Sequence, residues 1–294
     1  MIPLSVRADR PVDPVTVAVL RAIDGRAKAL GFAYFVAGAM ARDIVLTNVF
    51  GIGTQRATRD VDFAVTVKNW GEFSTIKDQL VATGLFDVSA KVHRLQYKSS
   101  SGSGGYPVDL LPFGGVEDAS HRIAWPPDMK VGMNVVGYAE ALASALAIAV
   151  EPGLVIPVTS LPGLALLKLF AWRDRHHETA KDAQDLVILC RGYQDAGNQD
   201  RLYGEEIGML EALGFDLDLA SPHLLGKDAR AIAQPETLHQ ATALLGDARL
   251  VDHLVTQMAI ELKGADDSVT AAQRLLEQFQ AGLTGQPVAG QAAH

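Results

Sequence analysis

Helical periodicity is the first signal along the chain. Asp13 and Pro14 form an N-cap followed by a first-turn proline, and Leu20, Ile23, Ala27 and Leu30 then recur on one helical face. Gly31 stands where that helix should stop. Residues 33–37 are a short apolar strand that runs into Gly38, and 39–47 reads as a second helix. Residues 51–59, rich in Gly, Thr and Arg, form a loop. The next stretch, 60–66, alternates. Val61, Phe63 and Val65 are apolar, which puts Asp60, Asp62 and Ala64 on the opposite strand face. A helix is predicted over 70–83, then strands over 92–98 and 106–112 joined by a hairpin-like loop, 99–105, with a further strand at 154–158.

Past Ser160 the period changes. Residues 161–172 are apolar at helical spacing and 180–190 repeat the pattern. Helix-like stretches continue to about residue 280 with no strand, and the small, polar tail from Gly282 predicts disorder. The expected fold class is α+β. A mixed sheet flanked by helices occupies residues 1–158, a helical domain 159–281, and a disordered tail 282–294.

Composition narrows the partners. With 294 residues there is room for two domains, and 48% apolar but only 6% aromatic residues predict a core of Leu, Val, Ile and Ala. A formal charge of -8 repels phosphate backbones at long range, so only a local basic patch would hold RNA. Cys190 is the single cysteine, which rules out an internal disulfide and a Cys-based zinc site and fits a buried thiol in a reducing compartment. The N-terminus lacks a secretory pattern, and the longest apolar run, 141–150, is too short to span a bilayer. A soluble cytoplasmic protein without a membrane partner is expected.

Three segments carry candidate chemistry: Gly38-Ala39-Met40-Ala41-Arg42-Asp43, Asp60-Val61-Asp62, and Pro107-Val108-Asp109-Leu110-Leu111. With 23 aspartates present, an Asp-x-Asp pattern arises by chance, and Asp216 and Asp218 are a second instance. Context gives the first pair its weight. Two carboxylates on one strand face repel and gain nothing structural without a cation. Asp109 is a lone charge among apolar strand residues, and a neighbouring strand would bring it beside Asp60 and Asp62. The alternative is an edge-strand aspartate facing water. Three carboxylates and a nucleotide suit magnesium, and two such ions serve phosphoryl transfer. Asp109 is then a metal ligand and candidate base toward the nucleophile. Gly38 opens a helix, where amides bind phosphate and the absent side chain lets it approach.

These residues resemble the nucleotidyltransferase superfamily related to DNA polymerase beta, whose signature is a helix-opening Gly-Gly or Gly-Ser, an Asp-x-Asp pair and a distal Asp. The resemblance covers 33–111 and extends more loosely to about 190. Within that superfamily the chain looks most like the AbiEii group, the toxins of type IV toxin–antitoxin systems. The group adds a lysine, matched by Lys168, and a Lys/Arg-Asp-x-x-Asp segment, matched by Lys181-Asp182-Ala183-Gln184-Asp185. The resemblance implies NTP as substrate and two Mg2+ ions held by Asp60, Asp62 and Asp109. It also implies nucleotide contact by Gly38, Ala39, Arg42 and Lys168, a catalytic or supporting role for Asp185, and an antitoxin partner. Read from the residues alone, Lys168 is equally well a snorkelling helix lysine, and Asp182 and Asp185 equally well pair with Arg173 and Arg175. Ala39 departs from the Gly-Ser pattern, so a hydroxyl contact to the triphosphate is missing. Gly38-Ala39-Met40-Ala41-Arg42-Asp43 also resembles the Gly-Gly-x-x-Arg-Asp of CCA-adding enzymes.

No His-Glu-x-x-His, Gly-x-Ser-x-Gly or P-loop motif is present, which argues against a zinc hydrolase, a serine hydrolase and a P-loop NTPase. Three readings stand: an enzyme moving an NMP to an acceptor hydroxyl on RNA, protein or a small molecule; a degenerate module of the same fold that binds nucleotide or a partner without turnover; and a toxin neutralised by an antitoxin.

Overall fold

The computed structural model describes residues 3–53, 60–98, 105–264 and 267–286. Residues 54–59 of the loop expected at 51–59, 99–104 of the hairpin loop expected at 99–105 and 287–294 of the tail expected at 282–294 lie outside the described residues. The chain divides into two compact units, residues 1–160 and 161–294.

The first unit runs β1 (Leu4–Ser5), α1 (Pro14–Leu30), β2 (Tyr34–Ala37), α2 (Gly38–Asp43), β3 (Val61–Val67), α3 (Trp70–Val81), β4 (Phe86–Val88), β5 (Arg94–Tyr97), β6 (Tyr106–Gly114), β7 (Arg122–Ala124), β8 (Gly132–Asn134), α4 (Tyr138–Ala143), β9 (Leu146–Glu151) and β10 (Leu154–Val158). Among the described residues eight strands form one mixed sheet in the order β1-β9-β10-β2-β3-β6-β5-β4, and β7 pairs with β8 in a separate ribbon. At its centre β3 lies antiparallel to β2 and parallel to β6, and β5 is antiparallel to β6.

The local signals explain the elements. The Asp13 carboxylate accepts from the amides of Val15 at 2.9 Å and Thr16 at 3.1 Å, and Gly31 caps α1 in the left-handed region. Val61, Phe63 and Val65 are fully buried, each contributing about 1.5–3 kcal/mol of transfer free energy. The opposite face of β3 departs from simple alternation, because Ala64 is also buried. That face is covered by α4, whose Tyr138 ring lies 6.1 Å from Phe35 and 5.7 Å from Phe113. On that face Asp60, Asp62 and Thr66 keep partial exposure. The helix expected over 39–47 starts one residue earlier and changes pitch, since 44–49 are π-helical. The apolar run 141–150, read only for its length, divides into the end of α4 and the strand β9.

The second unit contains no strand among its described residues. Its helices are α5 (Leu161–Arg175), α6 (Lys181–Gly192), α7 (Gln199–Tyr203), α8 (Ile207–Ala212), α9 (Leu217–Ile232), α10 (Pro235–Gly246), α11 (Ala248–Met258) and α12 (Ser268–Thr284). Helix α5 is buried along almost its whole length, from Leu161 to Phe170. Helices α9 and α12 approach until their backbones touch: a Cβ on Gly282 would lie 2.8 Å from the Lys227 amide nitrogen. The expected disorder from Gly282 is corrected here. Helix α12 continues to Thr284 with Leu283 fully buried, because the close α9–α12 packing needs those residues. Cys190 is buried, and burial pushes its thiol up to about 12, as a core residue requires. Among the described residues no helix is long and apolar enough to cross a membrane.

Candidate functional site

The register of the central sheet assembles the site. Asp62 of β3 is directly opposite Asp109 of β6, and Arg94 of β5 is directly opposite Asp109 from the other side. Register partners point to the same face, so Asp62, Asp109 and Arg94 stand in a row across three adjacent strands about 4.8 Å apart. Asp60, two residues before Asp62 and just outside β3, shares that face and is more exposed, its side chain 45% accessible. Asp109 does not sit at an edge. Strand β6 is internal and the residue is only 8% exposed.

Gly38 closes the site from the side of β2. Its φ of +67° lies in the left-handed region, and a Cβ there would overlap the Asp62 carboxylate, standing 2.9 Å from Cγ. Glycine is therefore required twice, by the turn from β2 into α2 and by Asp62. Ala37, at the N-cap of α2, offers no side-chain hydrogen bond to the first turn.

Arg94 is the group that sequence reading missed. Its Nε donates to Asp109 Oδ1 at 2.6 Å and its Nη2 to Asp109 Oδ2 at 2.7 Å, a two-pronged pair. The same Nη2 lies 3.9 Å from Asp60 Oδ2. Hydrogen bonding to Asp109 raises the Arg94 pKa further. Beside it, His93 Nε2 stands 3.9 Å from Asp109 Oδ2, with its ring 5.3 Å from that of Trp125. Burial lowers the His93 pKa, and Asp109 offsets this only in part, so the ring is mainly neutral at pH 7. Neither residue belongs to a motif. Only the β5–β6 register reveals them.

The expectation that three carboxylates close around a metal is corrected in one respect. They share a face, but as the side chains stand no three His, Cys, Asp or Glu groups among the described residues gather tightly enough to hold an ion. The cation beside Asp109 and Asp60 is the Arg94 guanidinium. The donor set still fits magnesium: hard carboxylate oxygens, with Asp60 partly exposed.

The family model described as nucleotidyl transferase AbiEii toxin, type IV TA system, matches residues 38–250. The chain belongs to the AbiEii nucleotidyltransferase family. It is therefore a nucleotidyltransferase, and nucleoside monophosphate transfer is its reaction class. Among solved structures it is similar to the antibiotic-resistance factor ANT(2'')-Ia, at 15% identity over 68% of this chain and 97% of that one, with a TM-score of 0.37. An antigenic nucleotidyltransferase-like protein from Paracoccidioides brasiliensis matches at 14% identity over 71% and 93% of the two chains, TM-score 0.40. The Thermotoga maritima CCA-adding enzyme complexed with tRNA matches at 12% identity over 94% and 82%, TM-score 0.27. No curated protein matches the chain.

The AbiEii match begins on Gly38 and takes in the helical residues singled out in the sequence. Lys168 and Asp185 lie in the second unit and form a cluster of their own. Lys168 Nζ is 2.5 Å from Asp185 Oδ2 and 3.0 Å from Asp182 Oδ1, and Arg175 Nε is 2.6 Å from Asp182 Oδ2. Lys168 is 6% exposed, so it does not snorkel. Burial opposes its charge, but Asp182 and Asp185 outweigh that and raise its pKa. Asp182 mirrors it: burial alone would raise its pKa, while Lys168 and Arg175 bring it down to about 2. Of the two arginines expected near these aspartates, Arg175 engages Asp182, whereas Arg173 lies 3.7 Å from its neighbour Asp174. Arg42, expected at the nucleotide, is 1% exposed and donates to Asp43 Oδ1 from Nε at 2.9 Å and Nη2 at 2.7 Å.

Proposed function

We propose that the protein transfers an NMP from a magnesium-bound NTP to an acceptor hydroxyl, with Asp60, Asp62 and Asp109 as the metal ligands. The observation that carries this reading is the placement of Asp62 opposite Asp109 on adjacent parallel strands, with Gly38 against Asp62. Two divalent ions held by these carboxylates would polarise the reacting phosphoryl group and neutralise charge on the departing pyrophosphate.

The protein's own groups supply position. The Gly38 and Ala39 amides, at the start of a helical stretch that continues to Val49, are the natural donors to phosphate oxygens. No hydroxyl is available at Ala39, so backbone amides do this alone. Asp62, pinned against Gly38, has little freedom and sets the ligand geometry, while the more exposed Asp60 completes the pair. Asp109 takes the acceptor's proton only when its oxygens are not both engaged by Arg94. We assign Lys168 and Asp185 a supporting role within the helical unit, where their pairing keeps Lys168 charged. Arg42 acts through Asp43 to hold α2, not by touching substrate. The acceptor belongs to one of three classes: RNA, protein or a small molecule. Membership in a toxin family supports a cytoplasmic toxin held in check by an antitoxin protein.

Incubation with each NTP labelled at the α-phosphate, a cell extract and magnesium should label one class of acceptor, and Asp62→Asn should abolish the label. Full transfer by that variant would remove the assigned site. Growth arrest on expression, relieved by Asp60→Ala, tests the toxin role; harmless wild-type expression would contradict it.

A further inference from the structure

Arg94 has no structural anchor outside the acidic site. Its side-chain hydrogen bonds and ion pairs among the described residues go to Asp109 and Asp60 alone, and its side chain is 22% exposed. A guanidinium that served to brace the sheet would also bind a backbone carbonyl or a neighbouring helix. This one is held only by the carboxylates that the proposed function assigns to the metal. Its two nitrogens engage both oxygens of Asp109, and its positive charge lies between Asp109 and Asp60. A divalent cation and a guanidinium repel each other, and a partly buried site screens that repulsion weakly.

We propose that Arg94 is a resident counter-cation of the acidic site that competes with divalent metal for Asp109 and Asp60 and must swing out when metal loads. The inference rests on the metal-site reading of Asp60, Asp62 and Asp109. It accounts for two observations at once. Asp62 and Asp109 are register partners on adjacent strands, yet the acidic side chains are not gathered into a metal-binding group as they stand. The pair is short and two-pronged, which makes it an effective competitor, yet its partial exposure gives the long side chain a way out to water. Metal affinity is therefore lower than three carboxylates alone would provide, and loading is coupled to a side-chain movement.

The test measures metal binding without turnover. Manganese(II) titrations followed by electron paramagnetic resonance should show Arg94→Gln binding the ion more tightly than wild type, by about tenfold. Arg94→Lys, which keeps the charge but loses the fork, should fall between them. Melting temperatures give a second readout. In EDTA Arg94→Gln should melt below wild type, because its carboxylates repel, and manganese should restore it by a larger increment than it gives wild type. Asp62→Asn separates the two layers of the inference. If Asp62→Asn loses manganese while Arg94→Gln and Arg94→Lys bind as wild type or more weakly, Arg94 is not a competitor and the proposal is overturned, the site standing. If Asp62→Asn binds manganese as wild type does, the site itself is misplaced and both readings fall.

Discussion

Two acidic clusters, one in each unit, answer the cost of like charges in opposite ways. In the sheet, Asp60 and Asp62 keep partial access to water beside the buried Asp109, and the cation next to them, Arg94, comes from a neighbouring strand and has its side-chain partners there among the described residues. In the helical unit, Asp182 and Asp185 are sealed, at 0% and 2% exposure, and are met by Lys168 and Arg175 at 2.5–3.0 Å. The first arrangement can exchange its cation for one from solution. The second cannot exchange without exposing a buried charge, whose desolvation makes the pair worth keeping intact. An acidic motif therefore signals chemistry when its counter-charge is removable, and architecture when it is not.

The contrast breaks most visibly on activity. Asp62→Asn should cut NMP transfer by about 10³-fold while leaving the fold intact, read by labelled-NTP transfer beside a melting curve. A large drop in melting temperature would instead make the first cluster structural. The mirror substitution, Asp182→Ala, removes a partner from Lys168 and Arg175 and should cost about 3–5 kcal/mol by denaturant unfolding. Unchanged stability would show that the second cluster is not the closed ion pair seen here.

Gly38→Ala sharpens the first half. The left-handed backbone should cost about 1–3 kcal/mol, and the overlap with Asp62 should lower transfer further than stability alone explains. Acid titration sharpens the second. Asp182 is held at about 2 against an ordinary value of 3.8, so the unfolded chain binds its proton first as the pH falls. Its contribution of about 2 kcal/mol is complete above pH 4 and fades as the pH drops through about 2. Asp182→Asn should flatten that part of the stability–pH curve. Smallest is His223, whose pKa burial lowers below 6.5, opposed by Gln278. The unfolded chain binds that proton first below 6.5, so wild-type stability should decline slightly under that pH, and His223→Gln should lack the decline.

Some of this was readable from local pattern. The caps of α1 and the alternation of β3 are short-range signals, and both elements form where the spacing places them. Asp109 stood out because an isolated charge in an apolar strand needs a partner. Other features carried no local signal. The run 141–150 is apolar throughout, so no period separates helix from strand, and β9 exists because β10 and β1 flank it. Ala64 falls by alternation on the face of Asp60 and Asp62 and is nonetheless fully buried, on a face where Tyr138 of α4, more than 70 residues later in the chain, packs against Phe35 and Phe113. Lys168, Asp182 and Arg175 are three charged residues on helical segments until α5 and α6 pack together and bring them within ion-pair distance.

The sequence by itself determined the donors: carboxylates at alternating positions, a glycine before a helix, and the family pattern that joins them, since side-chain chemistry and strand period are properties of neighbouring residues. Only the tertiary structure decided which cation those carboxylates face. Strand register is set by the hydrophobic packing of the whole sheet, and that register placed Arg94 opposite Asp109.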